Sequence, residues 1–123
     1  METTIKWNAD LLGVEIQTKD QHFVISAQQS MTMSWHDAVR YFEGNNEWRL
    51  PTTDQLEVVA TNINEVNEII KENGGCEIRG WHWSAYECDE FCAWYVNMND
   101  GNIRYCNKNY GYNYVRAVSD LKN

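Results

Sequence analysis

Long apolar runs are missing from this chain. No stretch of about eighteen apolar residues occurs, so no segment has the length of a membrane-spanning helix. Basic charge is also scarce, with 10 Lys and Arg against 18 Asp and Glu and a formal net charge of −8. A phosphate backbone or an anionic membrane surface needs a basic footprint, so neither nucleic acid nor membrane insertion is expected. The opening METTIKWNADLLGVEIQ has no basic-then-apolar leader pattern, which gives the expectation of a cytoplasmic or virion-associated protein. Cysteine is limited to four residues, read as reduced thiols in the absence of an export signal. Cys88-x3-Cys92 is the one short-spaced pair, and His82 and Cys106 lie near it in sequence. Structural zinc sites more often use two such pairs, so no metal and no cofactor are expected.

Catalytic motifs are absent as well. His22 sits in a hairpin pattern, His36 at a helix start and His82 between two tryptophans, none beside a nucleophile in a recognisable arrangement. Glu87, Asp89 and Glu90 read as a solvated charged loop. No catalytic residue is assigned, and the protein is not expected to be an enzyme. Arg49 and Arg116 are expected to pin loops by hydrogen bonds to backbone carbonyls, a role suited to the five-donor guanidinium.

At 123 residues the chain is expected to form a single domain, 1–123, able to bury a core without disulfides. Val14 and Ile16 alternate with polar residues, and Phe23-Val24-Ile25 resumes after a polar turn, which predicts a hairpin over 12–26. Met31 and Met33 fall in a linker. Ser34-Trp35-His36-Asp37 predicts a capped helix over 34–43. Thr52-x-x-Gln55 is a capping box, and Leu56, Val59 and Ala60 give the apolar face of a second helix over 52–73. Asn62-x-x-Glu65 suggests a break and a fresh start within it, with Ile63, Val66, Ile69 and Ile70 inward.

After Gly75 the apolar period shifts from helical to alternating. Strands are predicted at 81–84, 94–98, 102–105 and 114–118, with Asn99-Asp100-Gly101 as a hairpin turn. The stretch from Gly80 to Val118 holds ten of the sixteen aromatic residues and three of the four cysteines. Trp83, Trp94, Val96, Ile103, Val115 and Val118 read as buried framework. Tyr, Asn, Gly, Cys, Asp and Arg fill the positions between, a composition suited to a contact surface.

Ser34-Trp35-x-x-Ala38, Trp48-Arg49-Leu50-Pro51-Thr52-x-x-x-Leu56, Trp83-Ser84-Ala85, Ala93-Trp94, Gly101-Asn102 and Tyr114-Val115-Arg116-Ala117-Val118 occur in an order that resembles the Lcl C-terminal domain family. The resemblance covers residues 34 to 118. It implies an α+β chain with the C-type lectin fold, two helices packed on small antiparallel sheets, and paired N- and C-terminal strands, with Val14–Ile16 near Val115–Val118. Tyr41-Phe42 stands where exported members carry a helix cysteine. The Glu-Pro-Asn and Trp-Asn-Asp calcium motifs of sugar-binding C-type lectins are missing, so no calcium site is implied.

The end of the chain further resembles variable proteins of diversity-generating retroelements. In these, a reverse transcriptase miscopies template adenines and so recodes asparagine positions. The resemblance implies a receptor-like display domain with a variable region over about 86–114. It implies ligand contacts at Tyr86, Glu87, Cys88, Asp89, Phe91, Cys92, Tyr95, Asn97, Arg104, Tyr105, Cys106, Asn107, Asn109, Tyr110, Gly111, Tyr112 and Asn113. The implied partner is a protein or surface ligand. Two alternatives stay open: a formylglycine-generating type of thiol or metal enzyme at Cys88 and Cys92, and a virion or host adhesion module.

Overall fold

The computed structural model describes residues 2–109 and 112–122. Strands β1 (Thr4–Asn8), β2 (Gly13–Gln17) and β3 (His22–Ser26) form an antiparallel meander. β4 (Met31–Met33) leads into helix α1 (Trp35–Tyr41), and helices α2 (Thr53–Thr61) and α3 (Ile63–Glu72) follow. The remaining strands are β5 (Trp81–Glu87), β6 (Cys92–Asn97), β7 (Ile103–Asn107), β8 (Asn113–Val115) and β9 (Val118–Asp120). They complete a four-stranded sheet ordered β1-β2-β3-β9 and a five-stranded sheet ordered β4-β8-β5-β6-β7. Among the described residues no helix is long and apolar enough to cross a membrane.

Local chemistry accounts for the helix starts. The Ser34 hydroxyl accepts from the Asp37 N–H, and Thr52 and Gln55 satisfy each other's backbone N–H groups reciprocally. The predicted long helix over 52–73 is two helices, so three helices pack on the sheets where two were expected. The break falls at Asn62, as the sequence suggested, but for a different reason. The Asn62 side chain donates backward to the Val58 carbonyl at 2.8 Å and makes no cap for α3. It reinforces the end of α2, where the Val58 carbonyl also accepts the Asn62 backbone N–H.

The predicted hairpin is β2–β3, with Val14 opposite Ile25 and Ile16 opposite Phe23. Two strands escaped the sequence reading. β1 offers only Ile5 and Trp7 as alternating apolar residues, both partly buried. β4, read as linker, buries none of its three residues fully and is recruited by pairing with β8.

The chain's beginning and end share a sheet, but not in the expected register. β9 pairs with β3, Ile25 opposite Val118, and Val14–Ile16 lies one strand further in. The single strand predicted over 114–118 is also divided. Val115 belongs to the five-stranded sheet and Val118 to the four-stranded one. Between them Arg116 turns inward, and the Ala117 carbonyl accepts from the Ser26 N–H.

Two apolar clusters result. The larger joins Val14, Ile16, Phe23 and Ile25 to Leu56, Val59, Val66 and Ile70, with Val96, Met98 and Val118. The smaller gathers Trp35, Ala38, Leu50, Trp83, Ala93 and Val115. β6 serves both. Its even-numbered face gives Val96, followed just beyond the strand by Met98, to the larger cluster, and its odd-numbered face gives Ala93 and Tyr95 to the smaller. The predicted alternation along β6 therefore holds, but the burial assigned to two framework residues does not. Trp94 is half-buried, because the larger cluster ends before reaching it, and Ile103 is 40% exposed on an edge strand.

Candidate functional site

The hairpins β5–β6 and β6–β7 build the candidate surface, and their side chains divide between the two faces of the sheet. Asn99-Asp100-Gly101 turns the second hairpin as predicted. Gly101 takes φ +80°, a left-handed conformation in which glycine is favoured, and its N–H donates to the Asn97 carbonyl at 2.7 Å. Val96 then stands opposite Ile103, Tyr95 opposite Arg104 and Trp94 opposite Tyr105. The Trp94 and Tyr105 rings meet edge to face at 5.1 Å. Beside them Thr53, Tyr86, Glu87, Trp94 and Ile103 line an open groove of about 570 Å³.

The expected contact residues fall into three groups. Tyr86, Glu87, Asp89, Phe91, Arg104, Tyr105, Asn109 and Tyr112 are exposed. Among the rings the exposures are 46% for Tyr86, 64% for Phe91, 60% for Tyr105 and 71% for Tyr112. Cys88, Cys92, Tyr95, Asn97, Cys106, Asn107 and Asn113 are half-buried. Tyr110 and Gly111 lie outside the described residues.

Several of the half-buried group hold the frame. Tyr95 packs edge to face on Trp81 at 4.9 Å and on Trp83 at 5.7 Å. Burial pushes its phenol above the usual tyrosine range. The Cys106 thiol is likewise raised by burial, and the Asn113 amide donates to its sulfur. Asn97 and Asn107 accept from the N–H groups of Asn99 and Asn109, fixing the turns that follow them.

Three residues escaped the sequence reading of this face: Trp94 and Ile103, taken for core, and Lys108. Lys108 is buried, its Nζ donates to Glu87 Oε2 at 2.6 Å and to the Glu90 carbonyl at 3.0 Å, and it sits 4.7 Å from the Trp35 ring centre. Its backbone N–H donates to the Phe91 carbonyl, and its carbonyl accepts from the Trp35 N–H. The residue ties the tip of the β5–β6 hairpin to α1. Its only sequence signal is that it is the lone lysine between Gly80 and Val118. Lys108→Met keeps the apolar stem but removes the donors and the cation. It should destabilise the fold by about 2 kcal/mol, from charge-assisted hydrogen bonds and the ring contact. It should also speed amide exchange at Cys88 and Cys92. Unchanged exchange there would mean that Lys108 does not hold the tip.

The histidines show no catalytic partnership. His82 is fully buried, its Nε2 lies 2.8 Å from Ser30 Oγ, and its Nδ1 faces the Gly80 carbonyl. Desolvation lowers its pKa to about 3, so it is a neutral structural group at physiological pH. His22 sits against Glu15 Oε2 at 2.9 Å.

Residues 1–119 match the model of the Lcl C-terminal domain family. The chain belongs to this family. The match takes in β1–β3, which lie before the motifs quoted from the sequence. No curated protein matches the chain. The α+β build of an Lcl C-terminal domain, with two small, mostly antiparallel sheets, is the C-type lectin fold. Membership supports a general role as a ligand-binding display module.

Proposed function

We propose that this chain binds a protein or surface ligand through the exposed side chains of β5, β6, β7 and the described residues that follow β7, and that a retroelement diversifies that surface. One observation carries the reading. Exposed Tyr86 lines the Trp94 groove, exposed Tyr105 packs on the Trp94 ring, and Phe91 and Tyr112 are further exposed rings of the same stretch, while Trp83 and Tyr95 serve the frame. Clustered exposed aromatics mark interaction surfaces, and a rigid support spares the ligand the cost of ordering a loop. The net charge of −8 favours a protein or surface partner over nucleic acid.

The face acts by binding rather than turnover. Burial and the Asp89 charge push the free Cys92 thiol upward, which disfavours an unliganded thiolate nucleophile, whereas a bound cation displaces the thiol proton.

Tyr105→Ala combined with Tyr112→Ala tests the reading. Both rings are exposed, so stability should fall by no more than about 1 kcal/mol, the worth of the Trp94–Tyr105 cross-strand pair. Binding to a ligand captured on the parent chain should vanish. A large stability loss with binding intact would defeat the proposal. The diversification arm is tested in the encoding DNA. It requires a near-copy of the segment for residues 86–114, differing only where the copy has adenine, beside a reverse-transcriptase gene.

A further inference from the structure

We propose that Cys88, Asp89 and Cys92 form a binding site for a zinc-class divalent cation, with a fourth coordination position left open at the tip of the β5–β6 hairpin. Spacing alone offers two thiols. The fold adds a third donor and brings all three together, with their ligand atoms within 4.8 Å of one another. A tetrahedral zinc ion with bonds of about 2.3 Å to sulfur and about 2.0 Å to oxygen needs its ligand atoms roughly 3.5–4 Å apart. The 4.8 Å bound is compatible with that separation.

The backbone prepares the arrangement. The N–H groups of Cys88 and Asp89 both donate to the Cys92 carbonyl, at 3.0 and 3.3 Å. Asp89 Oδ1 accepts from the N–H groups of Phe91 and Cys92, each at 2.8 Å, which fixes the carboxylate at the turn. Lys108 clamps the same turn from below through the Glu90 and Phe91 carbonyls. Cys88 and Cys92 are half-buried and Asp89 is exposed, so the site lies at the solvent boundary. Two sulfurs and one oxygen suit a borderline-soft ion over calcium or magnesium. Three protein ligands leave the fourth position for water or for a donor from a bound partner. Cys106 is not among the three ligands. It is half-buried, packed on the smaller core, and its sulfur accepts from Asn113. The site stands whether or not the outer face is diversified.

The test is a cobalt(II) titration of the full chain carrying Cys76→Ser, which removes the exposed thiol, under a phosphine reductant. The expected result is one cobalt per chain, with sulfur-to-cobalt charge-transfer absorption that zinc abolishes. Cys88→Ser and Cys92→Ser should each cut that absorption to about half or less and weaken zinc binding at least about tenfold. Asp89→Asn keeps an acceptor for the turn and should weaken zinc binding while the absorption persists. Cys106→Ser should leave both unchanged. The proposal is overturned by the absence of charge-transfer absorption at stoichiometric cobalt. It is equally overturned by absorption that is undiminished in Cys88→Ser or disappears with Cys106→Ser. Should a variant fail to fold, the Cys76→Ser titration alone decides, because the stoichiometry and the absorption are read on the intact turn.

Discussion

Arg116→Lys should destabilise the domain by about 3–5 kcal/mol, the range for breaking a buried charged network. The guanidinium is 3% exposed and its partners are spread around it. Nε donates to Ser30 Oγ at 2.8 Å, Nη1 to the carbonyls of Ser26 and Cys76 at 3.0 and 2.8 Å, and Nη2 to the carbonyl of Glu77 at 3.1 Å. Burial lowers its pKa to about 10, so it stays charged at neutral pH, balanced by carbonyl dipoles. An ammonium has the charge but not the planar fork, and its three donors leave one side of this set unpaired. Each orphaned buried carbonyl costs about 1–3 kcal/mol. Urea unfolding measures the loss as a fall in midpoint. A shift equivalent to less than about 1 kcal/mol would show that water replaces the guanidinium at little cost.

Acid should unfold the protein through the same node. His82 has a folded pKa of about 3 against an ordinary value of 6.5, because burial excludes its charged form. Above the ordinary value both the folded and the unfolded chain hold a neutral imidazole, and the folded state carries no penalty. As pH falls below it, the unfolded chain gains a proton that the folded chain refuses. Stability then drops by on the order of 1 kcal/mol per pH unit until the folded pKa is reached. Asp120 and Glu15 add to the loss only at lower pH. Their carboxyls are held below the usual range, chiefly by hydrogen bonds from Arg49 and His22, so their contributions persist until pH passes below ordinary carboxylate values. The fall between about pH 6.5 and 4.5 should therefore belong largely to His82. His82→Gln, which retains a donor and an acceptor for Ser30 and the Gly80 carbonyl, should flatten the stability profile over that interval. A profile as steep as the parent's would assign the effect elsewhere.

Both predictions rest on features the sequence showed only in part. Arg116 was legible as a loop-pinning arginine, since an isolated Arg in an otherwise apolar strand pattern needs carbonyl partners. Its consequence was not legible: the chain changes sheets there, because the three carbonyls that hold it come from residues 26, 76 and 77. Caps such as Ser34 and Thr52 were readable because they act within four residues. The backward bond of Asn62 was not, since Asn-x-x-Glu reads equally well as a start and the geometry chose an ending. On β6 the alternation was plain. What covers each face depends on residues far away in sequence. So Trp94 emerged at the rim of the groove, and Tyr95, chemically a contact residue, became a wedge between two tryptophans. Lys108 carried no local pattern at all, and only the assembled fold shows that it reaches Glu87 and the Glu90 carbonyl.

β7 stands at the margin of the five-stranded sheet, and Ile103, Arg104 and Tyr105 are all exposed. Five aligned positions join it to β6, and those three side chains settle into neither apolar cluster. A substitution at any of them costs only the cross-strand pair it disturbs, about 0.2–1 kcal/mol. A combinatorial library written along this ribbon would lose few members to misfolding, so nearly all of its chemical variety would survive to be screened for affinity.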